Sequence, residues 1–235
     1  MTYILGCDLS EWQRLKTDPT HINYSQMYHA GVRFVIYRAG IGTYHDKVYV
    51  SDYLRAIAHR LLVTHYWYLR WDVSITDQIT HYLDVCNQTH MARSLWLDYE
   101  ERKNITTRKD ISGRLVTAVN MIHSQLGLYP GIYTSPGFWQ EYYSLDPVIA
   151  NCALWIAHWG VAKPIVPKGW TDWTFWQYQI GTHGEDYGVQ SKSIDLDVYR
   201  YDYPALYRLF GQVYIDDAQL SPADQMRKLL AIHQD

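Results

Sequence analysis

Three features of the sequence predict an α/β fold with about eight mostly parallel strands that close into a β/α barrel. Short β-like segments recur eight times over most of the chain, helix-period stretches separate most of them, and no repeat or low-complexity tract interrupts the series. Strands and helices that alternate in this way build parallel sheets with right-handed crossovers, and eight strands allow closure. An open doubly wound sheet is the alternative.

The strand candidates span residues 3–9, 32–38, 61–68, 94–100, 129–134, 153–159, 173–179 and 193–199, each a β-branched or aromatic run between turn formers. Between them, 22–30 reads as a helix stopped by Gly31, and 52–60 and 75–90 read as further helices. The clearest helix is 108–126. Thr107 with Asp110 resembles a capping box, Ile111, Leu115, Val119, Ile122 and Leu126 share one face, and Gly127 ends it. Residues 136–188 carry weaker helix signals with more Gly and Trp, and read as richer in loop. The strand pattern ends at Tyr203, after which 204–210 and 222–233 read as short helices. The expected organisation is a barrel domain over 1–203 with a helical extension, 204–235, packed on it or trailing it.

Composition narrows the function classes. Of 235 residues, 48% are hydrophobic and 19% charged, an ordinary globular balance. Lys plus Arg number 21 against 24 Asp plus Glu, so there is no basic field to attract nucleic acid. The apolar runs are too short for a membrane-spanning helix. Met1 to Ser10 reaches Asp8 without a basic start or a long apolar stretch, so no secretory signal is expected. Cys7, Cys86 and Cys152 are odd in number and widely spaced, which suits buried thiols better than disulfides. The aromatic residues are 10 Trp and 22 Tyr against 4 Phe. Tyr and Trp join a flat apolar face to a polar handle, which suits sugar rings as well as half-wet core positions.

The strongest chemical signal is Trp96-Leu97-Asp98-Tyr99-Glu100. In a strand, Asp98 and Glu100 point to one side with Cα atoms about 7 Å apart, and like charges at that spacing raise one another's pKa. Asp8 ends the first strand, and Asp195 and Asp197 lie two apart in the last. Closure makes those strands neighbours, so Asp8 and Asp195 can face one pocket. Carboxylates converging in an aromatic groove suit glycoside hydrolysis or a hard-metal site. Sugar cleavage needs one carboxyl protonated and others ionised, a division that crowding produces.

These segments resemble the family 25 glycoside hydrolases, the Chalaropsis-type lysozymes that include many phage endolysins. The resemblance is carried by Gly6-Cys7-Asp8-Leu9-Ser10-Glu11-Trp12-Gln13, Phe34-Val35-Ile36-Tyr37-Arg38-Ala39-Gly40, Trp96 to Glu100 and Gly131-Ile132-Tyr133-Thr134-Ser135-Pro136-Gly137-Phe138-Trp139. Leu154-Trp155-Ile156-Ala157-His158-Trp159, Phe175-Trp176-Gln177-Tyr178 and Ile194-Asp195-Leu196-Asp197-Val198-Tyr199 continue it in order. It implies an irregular, flattened, TIM-like barrel and an N-acetylmuramidase cutting the MurNAc-β-1,4-GlcNAc bond of peptidoglycan. By the same resemblance Glu100 is the general acid/base, Asp98, Asp8 and Asp195 are supporting carboxylates, and the substrate acetamido group assists. Tyr66, Tyr133, Trp159 and Asp197 are the expected substrate contacts. No metal or organic cofactor is implied.

The sequence departs from the family in two places. Where many members read Gly-Ala-Tyr-His-Phe, this chain reads Thr64-His65-Tyr66-Trp67-Tyr68, and Asp197 replaces a common Asn. The second change predicts a shifted pH optimum or a hydrogen-bonding role. Other signals carry little. Gly40-Ile41-Gly42 lacks the spacing of a phosphate loop, no His-Glu-x-x-His motif is present, and Ser10 and Ser135 sit in no nucleophile elbow. His158 reads equally as a groove or a structural residue. Chitinase-type barrels would place a further Asp where Trp96 stands. The chain is therefore expected to be a monomer acting on peptidoglycan glycan strands, without nucleic acid or membrane insertion. As a phage endolysin it would wait in the host cytoplasm, a secreted enzyme being the other possibility. The rival readings are a catalytically silent carbohydrate-binding domain and a hydrolase of another N-acetylated glycan.

Overall fold

The computed structural model describes residues 3–13, 22–89, 94–103, 107–191 and 193–211. The strands are β1 (Ile4–Leu9), β2 (Phe34–Ile41), β3 (Tyr44–His45), β4 (Leu62–Tyr68), β5 (Leu95–Asp98), β6 (Gly131–Thr134), β7 (Leu154–Ala157), β8 (Phe175–Thr182) and β9 (Ile194–Tyr199). The helices are α1 (Tyr24–His29), α2 (Tyr49–Ala58), α3 (Ile75–Thr89), α4 (Arg108–Leu126), α5 (Pro136–Tyr142) and α6 (Tyr203–Leu209).

Closure decides between the barrel and the open sheet. The order runs β1-β9-β8-β7-β6-β5-β4-β2, and β1 pairs with β2 to seal eight strands, while β3 adds a short hairpin on β2. Six of the barrel pairings are parallel, but β9 runs antiparallel to both β8 and β1. The cause is local. Residues 183–193, with a 3-10 turn at Gly184–Tyr187, join β8 to β9, too little chain for a crossover helix, so the strand folds straight back. Reversal carries the start of β9, with Asp195, to the end of β1.

Side-chain caps open α1, α4, α5 and α6. Thr107 Oγ1 accepts the Asp110 N–H at 3.0 Å to open α4, and Gly127 closes it at φ 69°, a left-handed conformation that glycine adopts without strain. Ile111, Leu115, Val119 and Ile122 face the barrel. α5 occupies part of the region read as richer in loop. Ser135 caps it, accepting from Phe138 N at 3.3 Å, with Pro136 in the first turn where a missing N–H costs nothing.

Two cores result from the alternation of strand side chains. Outward residues such as Leu9, Val35, Val63 and Leu97 pack under the helices. Inward residues Ile4, Phe34, Ile36, Leu62, Trp96, Trp155, Phe175 and Tyr199 fill the barrel, and Leu206 and Phe210 of the α6 region join them at one end. The first residues of the 204–235 extension are thus part of the barrel's packing; the helix read at 222–233 lies outside the described residues. Cys7, Cys86 and Cys152 are buried thiols, as the spacing suggested.

So many rings fit only because small residues face them. A Cβ on Gly131 would overlap the Trp96 ring, and one on Gly6 would overlap Phe34. Gly131→Ala should therefore destabilise the fold by about 1–3 kcal/mol through overpacking. Gly113, exposed in α4 with open space around it, is the control. There alanine should add up to about 1 kcal/mol of helix stability. Denaturant midpoints of the two variants test both signs.

Candidate active site

At the ends of the parallel strands the inward positions change from apolar to polar. Asp8 follows Ile4 and Gly6 on β1, Arg38 follows Phe34 and Ile36 on β2, Tyr66 follows Leu62 and Thr64 on β4, and Asp98 follows Trp96 on β5. Tyr133 and Gln177 hold the matching places on β6 and β8, and reversed β9 contributes Asp195 opposite Asp8 and Asp197 opposite both Gly6 and Gln177. β5 ends at Asp98, two residues short of the expected strand. Tyr99 N still donates to Tyr133 O at 2.9 Å, which continues the ladder and keeps Glu100 on the side of Asp98.

Hydrogen bonds fix the wall. Gln177 Nε2 donates to Asp8 Oδ2 at 2.7 Å, while its Oε1 accepts from Tyr133 OH at 3.0 Å and from Trp159 Nε1 at 3.1 Å. Trp155 Nε1 donates to Asp197 Oδ1 at 2.7 Å, and Gly181 N donates to Asp195 Oδ1 at 2.9 Å. Trp159 stands at the rim, 45% exposed, whereas Tyr66 and Tyr133 are buried. Asp98 Oδ1 is buried without a hydrogen-bond partner. An unpaired buried acceptor of this kind costs about 1–3 kcal/mol and points to a role outside packing.

The electrostatics are dominated by burial among acids. Glu100 is pushed up to about 7 by burial first, then by Glu101 and Asp195, with Arg102 opposing. Asp98 is raised well above the carboxylate range by burial, Glu100 and Asp8, against the pull of Arg38. Asp8 is raised by burial, Asp197 and Asp195. Burial raises Asp195 while the Gly181 N–H lowers it. Asp197 reaches about 8 through burial, with the Trp155 hydrogen bond opposing and Asp195 adding to the rise. Arg38, itself buried, pairs with Glu11 at 3.1 Å and Asp46 at 3.4 Å. Among the described residues, no group of three or more His, Cys, Asp or Glu is placed to hold a metal ion.

Comparison with known proteins places the chain. The profile of glycosyl hydrolases family 25 matches residues 7–185. The chain belongs to that family. It is similar to Lysozyme M1 of Streptomyces globisporus, 28% identical over 74% of this chain and 61% of the relative. An N,O-diacetylmuramidase of Arthroderma benhamiae is 24% identical over 77% of this chain and 81% of its own length. A bacterial lysozyme from Streptomyces coelicolor shares the fold with a TM-score of 0.75 and 25% identity, covering 89% of this chain and 98% of that one. The chain thus spans less than two thirds of Lysozyme M1.

In this family 25 chain the structure gathers Asp8, Asp98, Glu100, Asp195, Asp197, Tyr66, Tyr133 and Trp159 at one end of the barrel. Four participants were not among the sequence-derived site residues: Gln177, Arg38, Glu101 and Tyr68, whose hydroxyl is raised by burial and by Asp98 and Glu100. For Gln177 and Arg38 a signal existed, a polar residue at an inward position of an apolar strand. His158 serves structure, with Nδ1 accepting from Ile165 N at 3.1 Å.

Because Glu100 is raised in the folded state, protonation favours folding. Its penalty is absent below the ordinary value of 4.5, grows as pH rises to about 7, and is constant above. Glu100→Gln should therefore be more stable than the wild type at pH 8, by about 1–3 kcal/mol, with the gap closing towards pH 4. Thermal melts across that range check the sign.

Proposed function

We propose that the chain is a muramidase that hydrolyses the MurNAc-β-1,4-GlcNAc bond of peptidoglycan glycan strands, with Glu100 as general acid and then general base. The observation that carries this reading is a single glutamate raised to about 7 at the mouth of a barrel whose other carboxylates surround it. A group with that value is about half protonated at neutrality, so it can both donate a proton and take one back.

In the first step the Glu100 carboxyl donates its proton to the glycosidic oxygen as the bond to the anomeric carbon lengthens. The positive charge growing on the sugar ring is stabilised by the ionised members of the cluster, in a setting where burial weakens solvent screening. Asp98 Oδ1, lacking a partner in the protein, suits the N–H of the 2-acetamido group. Accepting that N–H turns the acetamido oxygen towards the anomeric carbon, where it displaces the leaving sugar and forms a cyclic oxazolinium-like intermediate. The carboxylate left on Glu100 then takes a proton from the water that opens this ring, which restores the acid. Tyr66, Tyr133 and Trp159 supply faces for the sugar rings. The relatives, a lysozyme and an N,O-diacetylmuramidase, support this substrate class.

Clearing of purified cell walls tests the assignment. Glu100→Gln should lose at least about 10²-fold in kcat, the usual contribution of a positioned proton donor, with KM little changed. Equal clearing by both proteins would remove Glu100 from the mechanism, and no clearing by the wild type would favour a binding domain. Mass analysis of the fragments should find muramic acid at the new reducing ends; glucosamine there would indicate another cleavage. The rate should also follow a bell-shaped pH profile, with kcat/KM declining as pH rises through about 7, where Glu100 loses its proton. A rate flat across that region under chemistry-limited conditions would contradict the assignment.

A further inference from the structure

Asp197 is fully buried, yet only one of its oxygens is accounted for by a fixed donor. Oδ1 takes the Trp155 indole N–H, and Oδ2 has no N–H or hydroxyl donor. What faces it is another acid. Asp197 lies opposite Gly6 on β1, one step along the same face from Asp8, and opposite Gln177 on β8, the residue that bonds Asp8, so the two buried carboxyl groups are neighbours that act on each other. Two carboxylates cannot hydrogen-bond without a proton between them. Asp8 Oδ2 accepts from the Gln177 amide, whose carbonyl in turn accepts from Tyr133 and Trp159.

We propose that Asp8 and Asp197 share one proton across the β1–β9 seam, and that this proton holds Gln177, and through it the Trp159 indole and the Tyr133 hydroxyl, at the groove wall. Asp197 is then a positioning residue. The amide of Gln177 has two orientations, and only one gives Asp8 a donor and the two ring groups an acceptor. With the proton in place the seam carries one negative charge, which the Gln177 N–H satisfies. Its loss leaves two adjacent anions with a single amide between them and drives the strands' side chains apart. An asparagine at 197 would make the same contacts, its amide donating to Asp8 and its carbonyl accepting from Trp155, but without a titrating proton. This chain has therefore placed a pH-dependent contact where a neutral amide would serve.

Among the described residues, the largest influences on Asp8 and Asp197 include no cation. The groups acting with the pair are Cys7 on β1, Asp195 on β9, Tyr178 on β8, Tyr133 on β6, Tyr66 on β4 and Asp98 on β5. Arg38 on β2 is engaged with Glu11 and Asp46. Burial therefore delays loss of the last proton until well above the ordinary carboxylate range.

The test uses the free protein and no substrate, so it stands whatever the fate of the muramidase reading. Carbon NMR of aspartate-labelled protein follows the carboxyl resonances, and nitrogen NMR follows the Trp159 indole N–H, across pH 4 to 10. The wild type should show Asp8 and Asp197 moving together in one alkaline step, with the Trp159 indole shifting at the same pH. In Asp197→Asn that step should vanish from both Asp8 and Trp159, while the indole keeps its hydrogen-bonded position throughout. Fully ionised Asp8 and Asp197 at pH 7 in the wild type would overturn the shared proton, and this needs no variant. An indole shift that persists in Asp197→Asn, or that never follows the carboxyls, would overturn the positioning role.

Discussion

The site depends on one constraint: closing eight strands forces acids from distant parts of the chain into a space where water cannot fully solvate them. A barrel strand offers alternate side chains to the interior, and this interior is filled by rings for most of its height. The remaining inward positions, at the ends of the parallel strands, hold Asp8, Asp98 and Arg38, with Asp195 and Asp197 added by the reversed β9. Desolvation raises every carboxylate there, and each raised neighbour raises the next. The chemistry is a consequence of that crowding. Remove the closure and the same residues are ordinary surface acids.

Much of this was legible in the sequence because it follows from period-two alternation. All eight barrel strands fell on predicted segments, and α4 fell on 108–126 because Thr107 and Gly127 mark its ends with local hydrogen bonding and a left-handed turn. The meeting of Asp8 with Asp195 followed from closure alone. The direction of β9 did not, because it depends on how little chain joins it to β8. α5 was hidden by the glycine and aromatic residues after Pro136, although Ser135-Pro136 is a fair start signal. Gln177 was present in a quoted motif but passed unremarked, since its importance lies in bridging three other side chains. The charge on Glu100 was also misattributed. Asp98 looked like the natural partner two residues away, but burial, Glu101 and Asp195 do most to raise Glu100, while Asp98 is itself raised by Glu100.

The aromatic composition has a different meaning from the one its counts suggest. Seven of the ten tryptophans are buried, and several indole N–H groups tie loops to the barrel. Trp67 reaches Gly42 O, Trp71 reaches Glu101 O, Trp139 reaches Lys168 O, Trp170 reaches Cys152 O and Trp176 reaches His158 O. Trp67, the departure from the family pattern, belongs to this set: it is buried on the outer face of β4, stacked on Tyr82 and touched by His45. It shapes the packing beneath α3 and not the groove. The polar handle that suits tryptophan to sugars suits it equally to a crowded, loop-rich barrel.

The most direct measurement of the central claim is the titration of the Glu100 carboxyl itself. The chain has only five glutamates, so carbon NMR of glutamate-labelled protein, with Glu100→Gln to identify the signal, resolves it. A midpoint at about 7 is expected. A Glu100 signal that titrates near 4.5, the value of an unperturbed glutamate, would mean that the barrel neither desolvates nor crowds it, and the account of the acid would fall.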